Sequence, residues 1–171
     1  MTSIERIVPS QWQLLRELRL AALLDSPAAF GQSHAEASGQ PEADWRAAAA
    51  VASAGDRRAW FIARDDTAAA VGLVQARRRP PTDCLLFSMW VAPAARRAGT
   101  GARLVDTVAD WGRGWGARRV VLWVLAANEP ALRFYDRIGF RVIDAGPDAQ
   151  SGYSYGALAM ERPIVSGEIQ R

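Results

Sequence analysis

The sequence has no lysine, a single histidine (His34) and a single cysteine (Cys84). One cysteine excludes an intrachain disulfide and any metal site built from cysteines, and no metal is expected. No apolar run approaches the ~20 residues that span a bilayer. The opening Met1-Thr2-Ser3-Ile4-Glu5-Arg6 lacks a secretory hydrophobic region. The expected compartment is therefore the cytoplasm, with no membrane partner. Basic charge is carried by arginine alone, 21 residues against 18 acidic ones, for a net charge of +3 and a pI near 9.7. These arginines are scattered rather than gathered in blocks, which argues against a nucleic-acid partner. Repeats, low-complexity tracts and interdomain linkers are also missing. The 171 residues therefore predict one domain, over residues 1–165, with 166–171 as a frayed tail.

What is present is a change of period in the middle of the chain. Leu85-Leu86-Phe87-Ser88-Met89-Trp90-Val91 is short, largely apolar and followed by Pro93. Such a run fits a strand buried on both faces or a piece of buried helix, and the flanking prolines favour the strand. After Gly101, residues Leu104, Val108, Trp111 and Trp115 share one helical face, with Arg103, Asp106, Asp110 and Arg113 off it. The joint between them, Pro93-Ala94-Ala95-Arg96-Arg97-Ala98-Gly99-Thr100-Gly101, suits an anionic phosphate. The first amides of a helix lack intrahelical acceptors and sit at the positive end of its dipole. Gly99 and Gly101 let an oxygen approach the backbone, and Arg96 and Arg97 add charge that a diphosphate can pair with. The spacing is neither a Walker loop nor the dinucleotide fingerprint.

In chain order, Trp12 to Leu24 predicts a helix with Leu14, Leu18 and Ala21 or Ala22 on its buried stripe and Arg16 and Arg19 away from it. Ala28 to His34 is too polar and broken to be core throughout. Pro41 to Ala54 predicts an alanine-rich helix anchored by Trp45 and ended by Gly55. Ala59–Ala63 and Ala70–Ala76 predict a hairpin across Asp65-Asp66-Thr67. Arg77-Arg78-Arg79-Pro80-Pro81 is expected to be a solvated loop. Gly112, Gly114 and Gly116 end the central helix, and Arg119 to Leu125 is a buried strand. Strand, helix and strand imply a right-handed crossover and parallel pairing. Asn128 caps a further helix carrying Leu132, Tyr135 and Ile138 and closed by Gly139. Phe140–Ile143 and Ser154–Met160 complete the strands, the last antiparallel to its neighbour.

Leu85 to Ile143 resembles the GNAT family of acetyl-CoA-dependent N-acetyltransferases, bacterial type. Arg96, Gly99 and Gly101 match its cofactor motif, preceded by Val91 and Pro93 in the familiar spacing. Asn128, Ala131, Phe134-Tyr135 and Gly139-Phe140 match its second motif. The resemblance implies a mixed α/β (α+β) fold: a central mixed, mostly antiparallel sheet, splayed at a central parallel strand pair and flanked by helices. It implies acetyl-CoA as cosubstrate, a small-molecule or peptide amine as acceptor, and a monomer or homodimer. By the same resemblance, backbone groups of Met89, Trp90 and Val91 would pair with the pantetheine arm. Amides from Arg97 through Ala98, Gly99, Thr100 and Gly101 to Ala102 would hold the pyrophosphate, Asn128 would touch the cofactor, and Tyr135 would be the general acid.

One departure bears on chemistry. Many relatives place a glutamate base where this chain has Trp123, and tryptophan accepts no proton. A protonated amine must lose a proton before attack. Substitutes are water passing protons to bulk, Glu36, His34, Asp83 or Glu129. Phe30, His34, Glu36, Ser88 and Trp123 are the candidate acceptor-side residues, Trp123 as an apolar or cation–π wall and Ser88 as a hydroxyl donor. Cys84 reads as a buried thiol rather than a nucleophile. The missing glutamate also leaves open a CoA-binding module of the same fold that has lost turnover.

Overall fold

The computed structural model describes residues 2–144 and 156–165. Seven strands form one sheet: β1 (Ser3–Arg6), β2 (Arg58–Arg64), β3 (Ala70–Arg79), β4 (Asp83–Val91), β5 (Arg119–Leu125), β6 (Arg141–Ile143) and β7 (Ala157–Pro163), in the order β1-β2-β3-β4-β5-β7-β6. Among the described residues, only β4 and β5 run parallel, and every other neighbouring pair is antiparallel. The β2–β3 turn is built by Asp65, whose Oδ1 accepts from the Thr67 and Ala69 amides at 2.9 and 3.1 Å. Ala68 there takes a left-handed φ of 65°.

Two layers of helix bury the sheet's faces. α1 (Trp12–Asp25), the short α2 (His34–Ser38) and α3 (Glu42–Ala52) cover Trp60, Ile62, Leu73 and Trp90 on one side. α4 (Thr100–Gly114) and α5 (Glu129–Arg137) cover Phe61, Val74, Leu86, Val120, Leu122 and Val124 on the other. The α4 crossover between β4 and β5 makes their parallel pairing possible.

Several expectations need correction. The buried stripe of α1 is Leu15, Leu18, Arg19, Ala22 and Leu23, so Arg19 lies on the covered face. It does so because its planar guanidinium lies over the Phe30 ring, 4.7 Å from the centroid. The Arg77–Arg79 run is not loop but the end of β3. Alternation puts Arg77 over Phe87 and Arg79 over Trp123 on one face, and Arg78 over Trp115 on the other. Gly112 does not end α4; the helix runs on to Gly114. The last strand begins at Ala157, and residues 154, 155 and the tail 166–171 lie outside the described residues. β1 and α2 went unforeseen.

The parallel pair is short. Asp83, Cys84 and Leu85 face Arg119, Val120 and Val121, and the ladder stops there. Its closed end is held by ions: Arg119 Nε donates to Asp83 Oδ1 at 2.7 Å, Arg79 Nη2 to Asp83 Oδ2 at 2.8 Å, and Arg119 Nη1 to Glu161. Arg141 Nη2 joins Glu161 at 2.8 Å. Burial alone would raise the Asp83 carboxyl, but hydrogen bonds from Arg119 and Arg79 prevail and hold it below its ordinary 3.8. Hydrogen bonds from Arg141 and Arg119 likewise hold Glu161 below 4.5. Depressed carboxyls stabilise the fold in full above the unfolded values and lose that contribution as pH falls through the folded ones. Melting curves between pH 3 and pH 7 should therefore show an acid limb that begins below about pH 4.5. Asp83→Asn and Glu161→Gln should each lower the neutral-pH melting temperature and flatten that limb.

Candidate functional site

The site begins where the parallel ladder ends. On its other edge β4 pairs with β3 through a bulge: Gln75 faces Phe87 and Leu73 faces Trp90, so Val74 alone is opposed by Ser88 and Met89. Ser88 takes a φ of 52°, left-handed for a residue that is not glycine. Such strain persists only where the surroundings impose it, and it gathers at functional sites. The bend turns β4 away from β5. Between them opens a cavity of about 300 Å³ whose wall includes Phe30, Arg77, Phe87, Ser88, Trp123 and Tyr135. Phe87 and Trp123 stack across it, 6.4 Å between centroids.

A second cavity, about 690 Å³, runs along the start of α4 past Arg97, Gly99, Gly101 and Ala102. Gly99 is the N-cap residue at φ 81°, and its end of α4 has no side-chain cap. Arg97 also has a positive φ, 66°, the left-handed region that favours glycine. Among the described residues, none of the amides from Arg97 to Ala102 donates a hydrogen bond; the first to do so is Arg103, to the Gly99 carbonyl at 3.1 Å. These donors face outward with the dipole's positive end, which is an anion site in physical terms. Gly101 is glycine for room: a Cβ there would lie 3.0 Å from Met89 Cε and 3.1 Å from Phe134 Cζ.

Arg96 has a different duty from its neighbour. Its Nε donates to the Val91 carbonyl at 2.9 Å, and its Nη2 pairs with Asp25 at the end of α1. Trp90 Nε1 donates to the same Asp25 oxygen at 2.9 Å. The Trp90 hydrogen bond, with Arg96 behind it, holds Asp25 below the ordinary carboxylate range. Arg96 thus fastens the loop to β4 and α1; Arg97, in the loop itself, and Arg137 on α5 line the cavity without an ion pair among the described residues.

Tyr135, Met89, Phe30, Asn128 and Ala131 border both cavities. Tyr135 is buried between Phe134 and Phe140, with centroids 5.1 and 5.4 Å away, and its hydroxyl lies 3.5 Å from Met89 Sδ. Asn128 caps α5, its Oδ1 accepting from the Ala131 amide at 3.3 Å. Ser88 and Trp123 lie on the first cavity's wall, but His34 and Glu36 line neither cavity. Glu36 accepts from the Ser33 amide at 2.7 Å in a capping box; that bond keeps its carboxyl below the usual range and makes it a weaker base. Asp83 belongs to the ionic clamp, and Glu129 pairs with Arg133 at 3.0 Å on the surface. Among the described residues, no acid lines either cavity. Cys84 is fully buried, and burial pushes its thiol up to about 12, which keeps it protonated and inert.

Comparison with known proteins gives a consistent picture. Residues 15–140 match the Acetyltransferase (GNAT) family. An uncharacterised N-acetyltransferase of Mycobacterium tuberculosis is 35% identical over 86 residues, 50% of this chain and 54% of the relative, so the chain spans about half the length of the curated relatives it matches. A GNAT-family acetyltransferase from Streptococcus pneumoniae has a TM-score of 0.75 at 17% identity, over 96% of this chain and all of that one. The PaiA N-acetyltransferase of Thermoplasma acidophilum, solved with coenzyme A, has a TM-score of 0.74 at 15% identity, over 95% of this chain and 99% of that one. At those identities the likeness to the solved structures is one of fold.

Proposed function

The chain belongs to the GNAT acetyltransferase family, and from that premise we propose that it transfers the acetyl group of acetyl-CoA to a primary amine while both substrates are bound. One observation carries the reading: a row of amides without acceptors at the start of α4 opens into a cavity that meets, at Tyr135, the gap between β4 and β5. A diphosphate fits such donors, aided by Arg97, and the unpaired edge of β4 at Met89 and Trp90 suits the pantetheine arm. Asn128 borders the junction and can touch the arm while capping α5.

In the reaction the neutral amine attacks the thioester carbonyl, a C–N bond forms and the C–S bond breaks. The departing thiolate takes a proton from the Tyr135 hydroxyl, and the tyrosinate regains a proton from water. The amine's proton leaves to water because no carboxylate among the described residues lines the cavity. Holding both reactants together supplies much of the acceleration. The acceptor is a small-molecule or peptide amine, and the enzyme works in the cytoplasm as a monomer or homodimer.

Acetyl-CoA should raise the melting temperature and bind with measurable heat, and CoA should be released when an accepted amine is added. Gly101→Val should weaken acetyl-CoA binding at least about tenfold, because its side chain pushes Met89 and Phe134 into the cofactor's path. No heat and no melting shift with the folded wild type would overturn the proposal. The lack of a carboxylate among the described lining residues favours a second reading, a CoA-binding module without chemistry. That reading predicts binding with no CoA release for any amine.

A further inference from the structure

The gap between β4 and β5 holds more positive charge than acetyl transfer uses. Arg77 reaches it from β3, lying 4.6 Å over the Phe87 ring and donating through Nε to Gln75 Oε1 at 2.7 Å. Among the described residues, no carboxylate lies within ion-pair distance of this guanidinium. Arg19 lines the same cavity from α1, buried against Phe30, with Nη2 donating to Gln32 Oε1 at 3.4 Å. Among the described residues the wall carries no acid, and Arg77 brings it a positive charge.

Burial pushes the Arg77 guanidinium down to about 10, with Arg58 adding repulsion. It remains charged at neutral pH in surroundings that disfavour its charge, and an incoming anion relieves that cost. A guanidinium held over an aromatic ring keeps its remaining N–H groups as a fork, the shape that takes a carboxylate by two parallel bonds. A polycationic amine meets the opposite situation at Arg77, a like charge at close range with no carboxylate among the described wall residues to offset it.

Resting on the transferase reading above, we propose that the acceptor is a primary amine that also carries a carboxylate, an amino-acid-type molecule whose carboxylate pairs with Arg77. The rings of Phe30, Phe87 and Trp123 line the same cavity and suit an apolar or aromatic substituent.

The experiment follows CoA release with matched pairs: apolar L-amino acids, their carboxamides, and a polyamine. In parallel, melting shifts are measured with N-acetyl amino acids and their amides in the presence of CoA. The acid should exceed its amide in kcat/KM by on the order of tenfold to a hundredfold, with the polyamine slowest. Arg77→Gln should bring that ratio near unity through the acceptor's KM, leaving the KM for acetyl-CoA unchanged, and Arg77→Lys should restore part of it. Equal or faster turnover of the amides or polyamine overturns the inference while the transferase reading stands. So does intact acetyl-CoA binding without turnover or a melting shift from any carboxylate. Failure of acetyl-CoA to bind overturns the transferase reading and this inference together. The matched ligands test the wild type directly, so the result does not depend on a variant folding.

Discussion

Replacing Tyr135 with phenylalanine should lower turnover by on the order of a hundredfold to ten-thousandfold, the usual range for a lost general acid, with acetyl-CoA affinity nearly unchanged. The ring makes the packing contacts with Phe134 and Phe140, so the variant keeps its shape and loses only the hydroxyl near Met89. What disappears is the donor for a leaving thiolate whose conjugate acid has a pKa of about 8.5. Calorimetry with acetyl-CoA and a CoA-release assay separate the two roles. A turnover loss with binding intact identifies the acid; unchanged turnover leaves Tyr135 as a packing residue and moves the proton source to water.

The largest stability effect is expected at Gly112. A Cβ there would meet Cys84 Cβ at 3.1 Å, Ala117 Cβ at 3.2 Å and Ile164 Cδ1 at 3.2 Å. Two of those neighbours are Cβ atoms, which cannot swing aside. Gly112→Val should therefore cost about 3 kcal/mol, the upper end for overpacking. For a chain of this size that is a fall of roughly 6–12 °C in melting temperature. Gly114 has no atom within 4 Å of its Cβ position, so Gly114→Ala is the control and should melt within about 2 °C of wild type. A Gly112→Val protein that melts like wild type would show that α4 can lift off β4 at little cost.

These two glycines show where sequence reading reaches its limit. Both sit in a row that reads as a helix ending, and only the packing of α4 on Cys84 separates a spacer from a stop. The apolar runs of β2, β4 and β5 were legible because a strand buried on both faces has no polar alternation to confuse it. β1 was not, since Ser3-Ile4-Glu5-Arg6 is a half-exposed edge strand with one apolar residue. α2 did carry a signal, the Ser33-His34-Ala35-Glu36 capping box, which would have marked its start. Arg19 and Arg77 run against the rule that charge marks exposure, for each buries its stem and rests its head on a phenylalanine. The bend at Ser88 left no trace, for the residue at positive φ is a serine and the strain is imposed by β3.

For the site, the α4 loop was legible from two glycines between a strand and a helix. The division of labour between Arg96 and Arg97 was not, because Asp25 is 71 positions from Arg96 in sequence. No spacing rule reaches that far.

The brevity of the β4–β5 ladder has a last consequence. The sheet behaves as two leaves bound along a narrow spine, each with its own antiparallel pairing. Side chains at the mouth of one leaf can then change without tearing the other, so under the proposed function the acceptor wall can be re-cut for a new amine while the thioester's berth stays as it is.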